Sequence, residues 1–116
     1  MQEPELFRPG DEVAIPFLIV AGGAIVNLSD GVLTAEVRAG TKLKGTLAEG
    51  SGITIERATP AAASGSAEQE AHGLVTIDEA LSAQLPVGIV SRIVFVFTTS
   101  AGLRLSVEDL PLRGRP

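Results

Sequence analysis

The stretch from Ile89 to Thr99, IVSRIVFVFTT, most constrains what this chain can fold into. It lies between a Pro-Val-Gly stop and a Ser-Ala-Gly turn, so it predicts one long strand through the middle of a sheet. The odd-numbered residues Ile89, Ile93, Phe95 and Phe97 make one apolar face. The even face begins mixed, with Val90 and Arg92, and turns apolar at Val94 and Val96. A central strand with one wholly apolar and one half-apolar face belongs to a packed β-sandwich.

The remaining segments fit strands around it. Val13, Ile15, Phe17 and Ile19 share a face in a strand from about Glu12 to Val20, and Pro16, which has no N–H to give, places that strand at an edge or at a switch between sheets. Ala21-Gly22-Gly23 turns the chain into a short return, and Asn27 to Gly31 is a dense turn signal. Val32 to Ala39 alternates most cleanly, with Leu33, Ala35, Val37 and Ala39 inward and Thr34, Glu36 and Arg38 toward water. Weaker strands follow at Lys42 to Leu47, interrupted by Gly45, at Ile53 to Arg57, and at Gly73 to Ile77. Ile77, Leu81 and Leu85 recur every fourth position, which predicts a short helical turn near 78–85. Its cap is Thr76 of a Thr76/Glu79 capping box or, as a rival, Asp78. Gly102 suits a three-residue hairpin loop, and Leu103, Leu105 and Val107 make a final strand. Seven or eight short strands about ten residues apart predict an all-β sandwich or barrel with antiparallel pairing.

At 116 residues the chain makes one domain, expected over 11–110. Residues 1–10 read as an N-terminal arm, either frayed or docked through Leu6 and Phe7, and 111–116 as a tail. The segment 58–72, ATPAAASGSAEQEAH, holds nothing apolar larger than Ala. Such a segment offsets little of its own ordering entropy, so it predicts a mobile loop inside the domain, its latter part a candidate for helix. Aromatic residues make up only 3 % of the chain, with no Trp or Tyr, so the core must be built mainly from Val, Ile, Leu and Ala.

Catalytic chemistry finds little footing. The net charge of −5 argues against a phosphate-binding surface and hence against nucleic acid as a partner. Without cysteine there is neither a disulfide framework nor a thiolate metal site. The first residues lack the pattern of a secretory signal. The longest apolar run, Val13 to Val26, is broken by Pro16 and two glycines and falls short of the roughly 20 residues of a membrane span. Synthesis in the cytosol and no membrane partner are expected. The single histidine, His72, reads as a solvated loop residue beside Glu70. The pairs Asp11/Glu12, Asp78/Glu79 and Glu108/Asp109 sit where strands begin or end. Neighbouring side chains on a strand point to opposite faces, so these read as caps and turns rather than acid/base couples. No catalytic residue, cofactor or metal is expected, with a loop-built calcium site as the alternative. The stronger signal is surplus apolar surface: Leu18, Val20, Val94 and Val96, with Leu6 and Phe7 of the arm, are the candidate interface residues. The competing reading covers these positions with the arm or with neighbouring loops.

Several short motifs occur together: Arg8-Pro9-Gly10-Asp11 before an apolar strand, a Gly-rich turn from Ala21 to Asn27 with Leu28, and a strand from Leu33 to Arg38. Then come Gly73-Leu74-Val75-Thr76-Ile77, a short helix with Ser82, and a Leu85-Pro86-Val87-Gly88 corner. This arrangement resembles the small immunoglobulin-like domains of tailed-phage virion proteins, in particular the N-terminal domain of the phage baseplate upper protein family. That family usually carries an aromatic after the corner, where Ile89 and Val90 stand here. The resemblance implies an Ig-like antiparallel β-sandwich with a non-enzymatic structural role in a virion, as capsid decoration, neck, or tail and baseplate component. It implies assembly with itself or with other virion proteins through sheet faces, edges or terminal arms, after synthesis in a host bacterial cytoplasm. The alternative is a stand-alone calcium- or carbohydrate-binding β-sandwich module.

Overall fold

Gly31–Ala39 and Val90–Thr99, the segments with the strictest alternation, lie side by side in antiparallel register from Gly31 opposite Thr99 to Ala39 opposite Ser91. In the computed structural model, which describes residues 4–105, 107 and 109–115, they are β5 and β9. Before them come β1 (Glu5–Phe7), β2 (Val13–Phe17), β3 (Val20–Ala21) and β4 (Ala24–Ile25). Between them lie β6 (Lys42–Glu49), β7 (Gly52–Ile55), β8 (Gly73–Ile77) and a single helical turn α1 (Glu79–Ser82). After them come β10 (Arg104–Leu105) and β11 (Leu110–Gly114).

The chain is all-β. The sequence predicts stacked antiparallel layers, whereas the hydrogen bonding runs through one continuous sheet in the order β1-β11-β9-β5-β6-β7-β8-β2, with β10 against β9 and β3-β4 as a separate ribbon. The two end strands of that path, β1 and β2, are joined by residues 8–12 alone. The sheet therefore bends round toward closure, as a partly open barrel. Two of its pairings are parallel, β1 with β11 and β6 with β7.

The inward face follows the alternation. Ile93, Phe95 and Phe97 of β9 are buried beside Leu33, Ala35 and Val37 of β5, and Phe17 stacks on Phe95 with ring centres 5.3 Å apart. Ser91 is buried on the same face, and its hydroxyl has no hydrogen-bond partner among the described residues. Ile89, expected on this face, is 57 % exposed, because β9 begins only at Val90, after the Gly88 turn. Pro16 lies in β2, which among the described residues pairs only with β8, so it occupies the expected edge. Asp78, not Thr76, caps α1 by accepting from the Leu81 N–H at 2.8 Å. Leu81 in turn lies over Gly45, where a Cβ would come within 2.8 Å of its Cδ1, so the glycine that interrupts β6 is the seat of the helical turn.

Both expected extremities join the sheet. The described part of the arm is a strand: Phe7 is in the core, and its carbonyl accepts from the Arg115 N–H at 2.8 Å. Residues 1–3 lie outside the described residues. The expected tail 111–116 belongs, through Gly114, to β11, which inserts between β1 and β9 and buries Leu110 and Leu112 completely or nearly so. The expected final strand from Leu103 to Val107 shrinks to β10, and its Ser106 lies outside the described residues.

The segment 58–72 forms no helix. It folds back on itself through paired hydrogen bonds between Ser64 and Ala67, and the Gln69 side-chain amide donates to the carbonyl of Ala61. Pro60 and His72 are buried at its two ends.

Candidate functional site

The outward side chains of the long strands are set by register. In one row across four strands, Leu43 of β6 faces Arg38 of β5, Arg38 faces Arg92 of β9, and Arg92 faces Pro111 of β11. In the next row, Val90 of β9 faces Arg113 of β11, which faces Leu6 of β1. Leu6 is 59 % exposed and Leu43 49 %. Directly opposed side chains have Cβ atoms about 5 Å apart, so like charges in such a pair repel. Arg38 is balanced by Glu36 on its own strand, Nη2 to Oε1 2.8 Å. Among the described residues Arg92 has no ion pair. The two rows therefore mix arginine with open apolar groups and contain no carboxylate, on a chain whose net charge is −5. Arginine is enriched in protein interfaces, where carboxylates are depleted.

At the other end of β5 and β9 the chemistry differs. Asp30, the last residue of a 3-10 turn (Leu28–Asp30) capped by Asn27, accepts at its carbonyl from the Ser100 N–H at 2.6 Å. That bond fixes Asp30 against the β9–β10 hairpin, whose Leu103 is 66 % exposed, while Val32 beside it is 58 % exposed. Glu49 ends β6 at the same rim, one carboxylate oxygen accepting from the Leu33 N–H at 3.1 Å. Glu70 pairs with Arg57 at 3.7 Å in the folded-back segment above.

The expected interface residues divide three ways. Leu6 is on the open outer face. Phe7 is in the core and offers no surface, because the alternation of β1 turns it inward. Val94 and Val96 are outward but half-buried, lying opposite Glu36 and Thr34. Leu18 and Val20, also half-buried, line a cleft of about 350 Å³ with Pro16, Phe95 and Leu110, where Glu70 and Asp109 supply polar walls. This cleft lies beside β2, between it and the residues of β9 and β11 that face it. Arg38, Arg92 and Leu43 were not singled out as site residues by sequence reasoning. They were legible only as outward positions, since their neighbours come from remote strands.

His72, expected in solvent, is completely buried. Its Nδ1 accepts from the Ile19 N–H at 2.9 Å and its Nε2 lies 2.7 Å from the Val26 carbonyl oxygen. A backbone N–H can only donate, so Nδ1 is unprotonated and Nε2 carries the proton that it gives to Val26. Burial pushes the imidazole below its ordinary value near 6.5, while hydrogen bonds to the carbonyls of Val26 and Ala58 pull the other way. Both ring nitrogens are thus committed to the backbone, which makes this histidine a clamp rather than a base or a metal ligand. Asp78 of the carboxylate pairs is a helix cap, and Asp11, Glu12 and Glu79 are exposed. Among the described residues no group of three His, Cys, Asp or Glu converges as a metal site would require. No helix is long and apolar enough to cross a membrane among those residues. In comparisons with known proteins, no family model, curated protein or solved structure matches this chain.

Proposed function

We propose that this chain is a non-enzymatic structural domain that acts by protein–protein assembly, in the class of virion components that its resemblance to tailed-phage immunoglobulin-like domains implies. The observation that carries the assembly reading is the outer face holding Leu6 and Leu43 around Arg38, Arg92 and Arg113. Large apolar side chains left half or more exposed beside arginine suit a partner that excludes water from them. In this reading the finer architecture is an Ig-like sandwich whose two layers remain joined. The layer β1-β11-β9-β5-β6 passes into β7-β8-β2 through the β6–β7 pairing, which spans only Ala48–Glu49 against Gly52–Ile53.

Sedimentation velocity over a range of protein concentration tests the reading, together with mass spectrometry of particles purified from the source. Association of the pure chain, or its presence in a particle at stoichiometric level, is the expected outcome. A strict monomer, absent from any particle, whose melting temperature rises with calcium or a sugar would replace it with the binding-module reading.

A further inference from the structure

We infer that the occupant of the Arg38–Arg92–Arg113 face is a second copy of this chain, docked by its Asp30–Glu49 rim. The inference rests on the assembly reading and specifies the partner. Three observations support it. First, Arg38 and Arg92 are directly opposed across β5 and β9, and among the described residues only Arg38 has a carboxylate, so a cationic pair stands half-neutralised on an open face. A carboxylate brought in from outside relieves that repulsion and forms charge-assisted, forked hydrogen bonds with guanidinium groups. Second, the chain carries the complement itself. Asp30 and Glu49 lie at the opposite end of the same strands, beside Val32 and Leu103, which are as exposed as Leu6 and Leu43 on the arginine face. Third, the two surfaces are separated by the length of β5, whose nine residues span about 30 Å at the usual rise of a strand.

Patches at opposite ends of one rigid strand pair cannot meet within a single copy. They pair between copies, either reciprocally in an antiparallel two-fold dimer or successively in a ring or an open stack. Arg104, which flanks Val32 across Thr98, lies on the acidic rim, so the fit there requires Asp30 and Glu49 to lead the contact.

The experiment uses the full chain and two charge reversals at exposed positions, Arg92→Glu and Asp30→Lys, each checked for an unchanged melting temperature. Alone, each variant has one disabled surface and should self-associate at least about tenfold more weakly than the parent chain, as expected for reversal at a close charge pair. Mixed, the intact acidic rim of Arg92→Glu meets the intact arginine face of Asp30→Lys, and the two reversed surfaces also carry opposite charge, so native mass spectrometry should show association restored between the two variants. If either reversal fails to fold normally, Leu43→Ser and Leu103→Ser weaken the same two surfaces without changing charge, and their mixture should associate more tightly than either variant alone. An oligomer that survives both reversals overturns this contact and leaves the assembly reading standing. A parent chain that is monomeric at every concentration overturns self-assembly altogether. A parent chain that binds a polyanion such as heparin through Arg92 but not itself assigns the face to a different anionic partner and also overturns the inference.

Discussion

The imidazole of His72 accepts a hydrogen bond from the backbone N–H of Ile19 at 2.9 Å, tying the strand that follows the Ala-rich segment to the residue after Leu18. Protonating Nδ1 would set two donors face to face in a buried site. The folded state therefore favours neutral imidazole, and the unfolded chain binds the proton more tightly.

The sign for stability follows. The contribution is complete above the ordinary histidine value near 6.5 and is lost as pH falls below it toward the depressed folded value. Urea unfolding from above neutrality down to about pH 5 should show stability falling by up to about 1.4 kcal/mol per pH unit in that window. His72→Gln should flatten this slope and lower the plateau by about 1–3 kcal/mol for each backbone group it leaves unpaired. Equal slopes in the two proteins would show that His72 does not carry the pH dependence.

Leu6 and Phe7 are neighbours in sequence with opposite fates, which separates folding from assembly at β1. Phe7→Ala should cost about 3–5 kcal/mol in chemical unfolding, as for other buried phenylalanines. Leu6→Ser should change stability by no more than about 0.5 kcal/mol and yet weaken association. Deleting residues 1–8 removes both and uncovers the edge of β11, so the truncated chain should melt well below the parent. If it melts with the parent, β1 adds nothing to the sheet.

Two substitutions on the inner face of β9 should pull in opposite directions. Phe95→Ala opens a cavity against Phe17 and should cost about 3–5 kcal/mol. Ser91→Ala removes a buried hydroxyl that has no described partner, and should leave stability unchanged or raise it by about 1 kcal/mol. A clear loss for Ser91→Ala in the same unfolding assay would mean that the hydroxyl is satisfied.

Much of the framework was legible in the residues. The period-two pattern of Leu33, Ala35 and Val37, and of Ile93, Phe95 and Phe97, fixed which faces are buried, because a one-residue slip would put every one of them in water. Leu110 and Leu112 alternate with Pro111 and Arg113 in the same way, but proline and arginine near the end of the sequence argued for an exit. A neighbouring strand on each side turned that segment into β11. His72 was misread because composition describes a segment on average, while this residue belongs to the ladder that follows it: its own N–H donates to the Phe17 carbonyl at 2.8 Å. The candidate site was least legible. Arg38 and Arg92 are each an ordinary outward arginine, and only the pairing of two remote strands makes them opposed. Long-range register has no local signal in the sequence.

The placement of β11 between β1 and β9 has a temporal consequence. During translation β1 is made before every other strand of the sheet, yet its partner among the described residues, β11, is made after all of them, and β9 likewise waits for β11 on one side. Until Leu110 to Gly114 leave the ribosome, Phe7 has no strand to lie against, and an unpaired edge of β9 is open to other nascent chains. A chain of this design is committed to a late, nearly simultaneous closure, and is most vulnerable to mispairing with its own copies just before that moment.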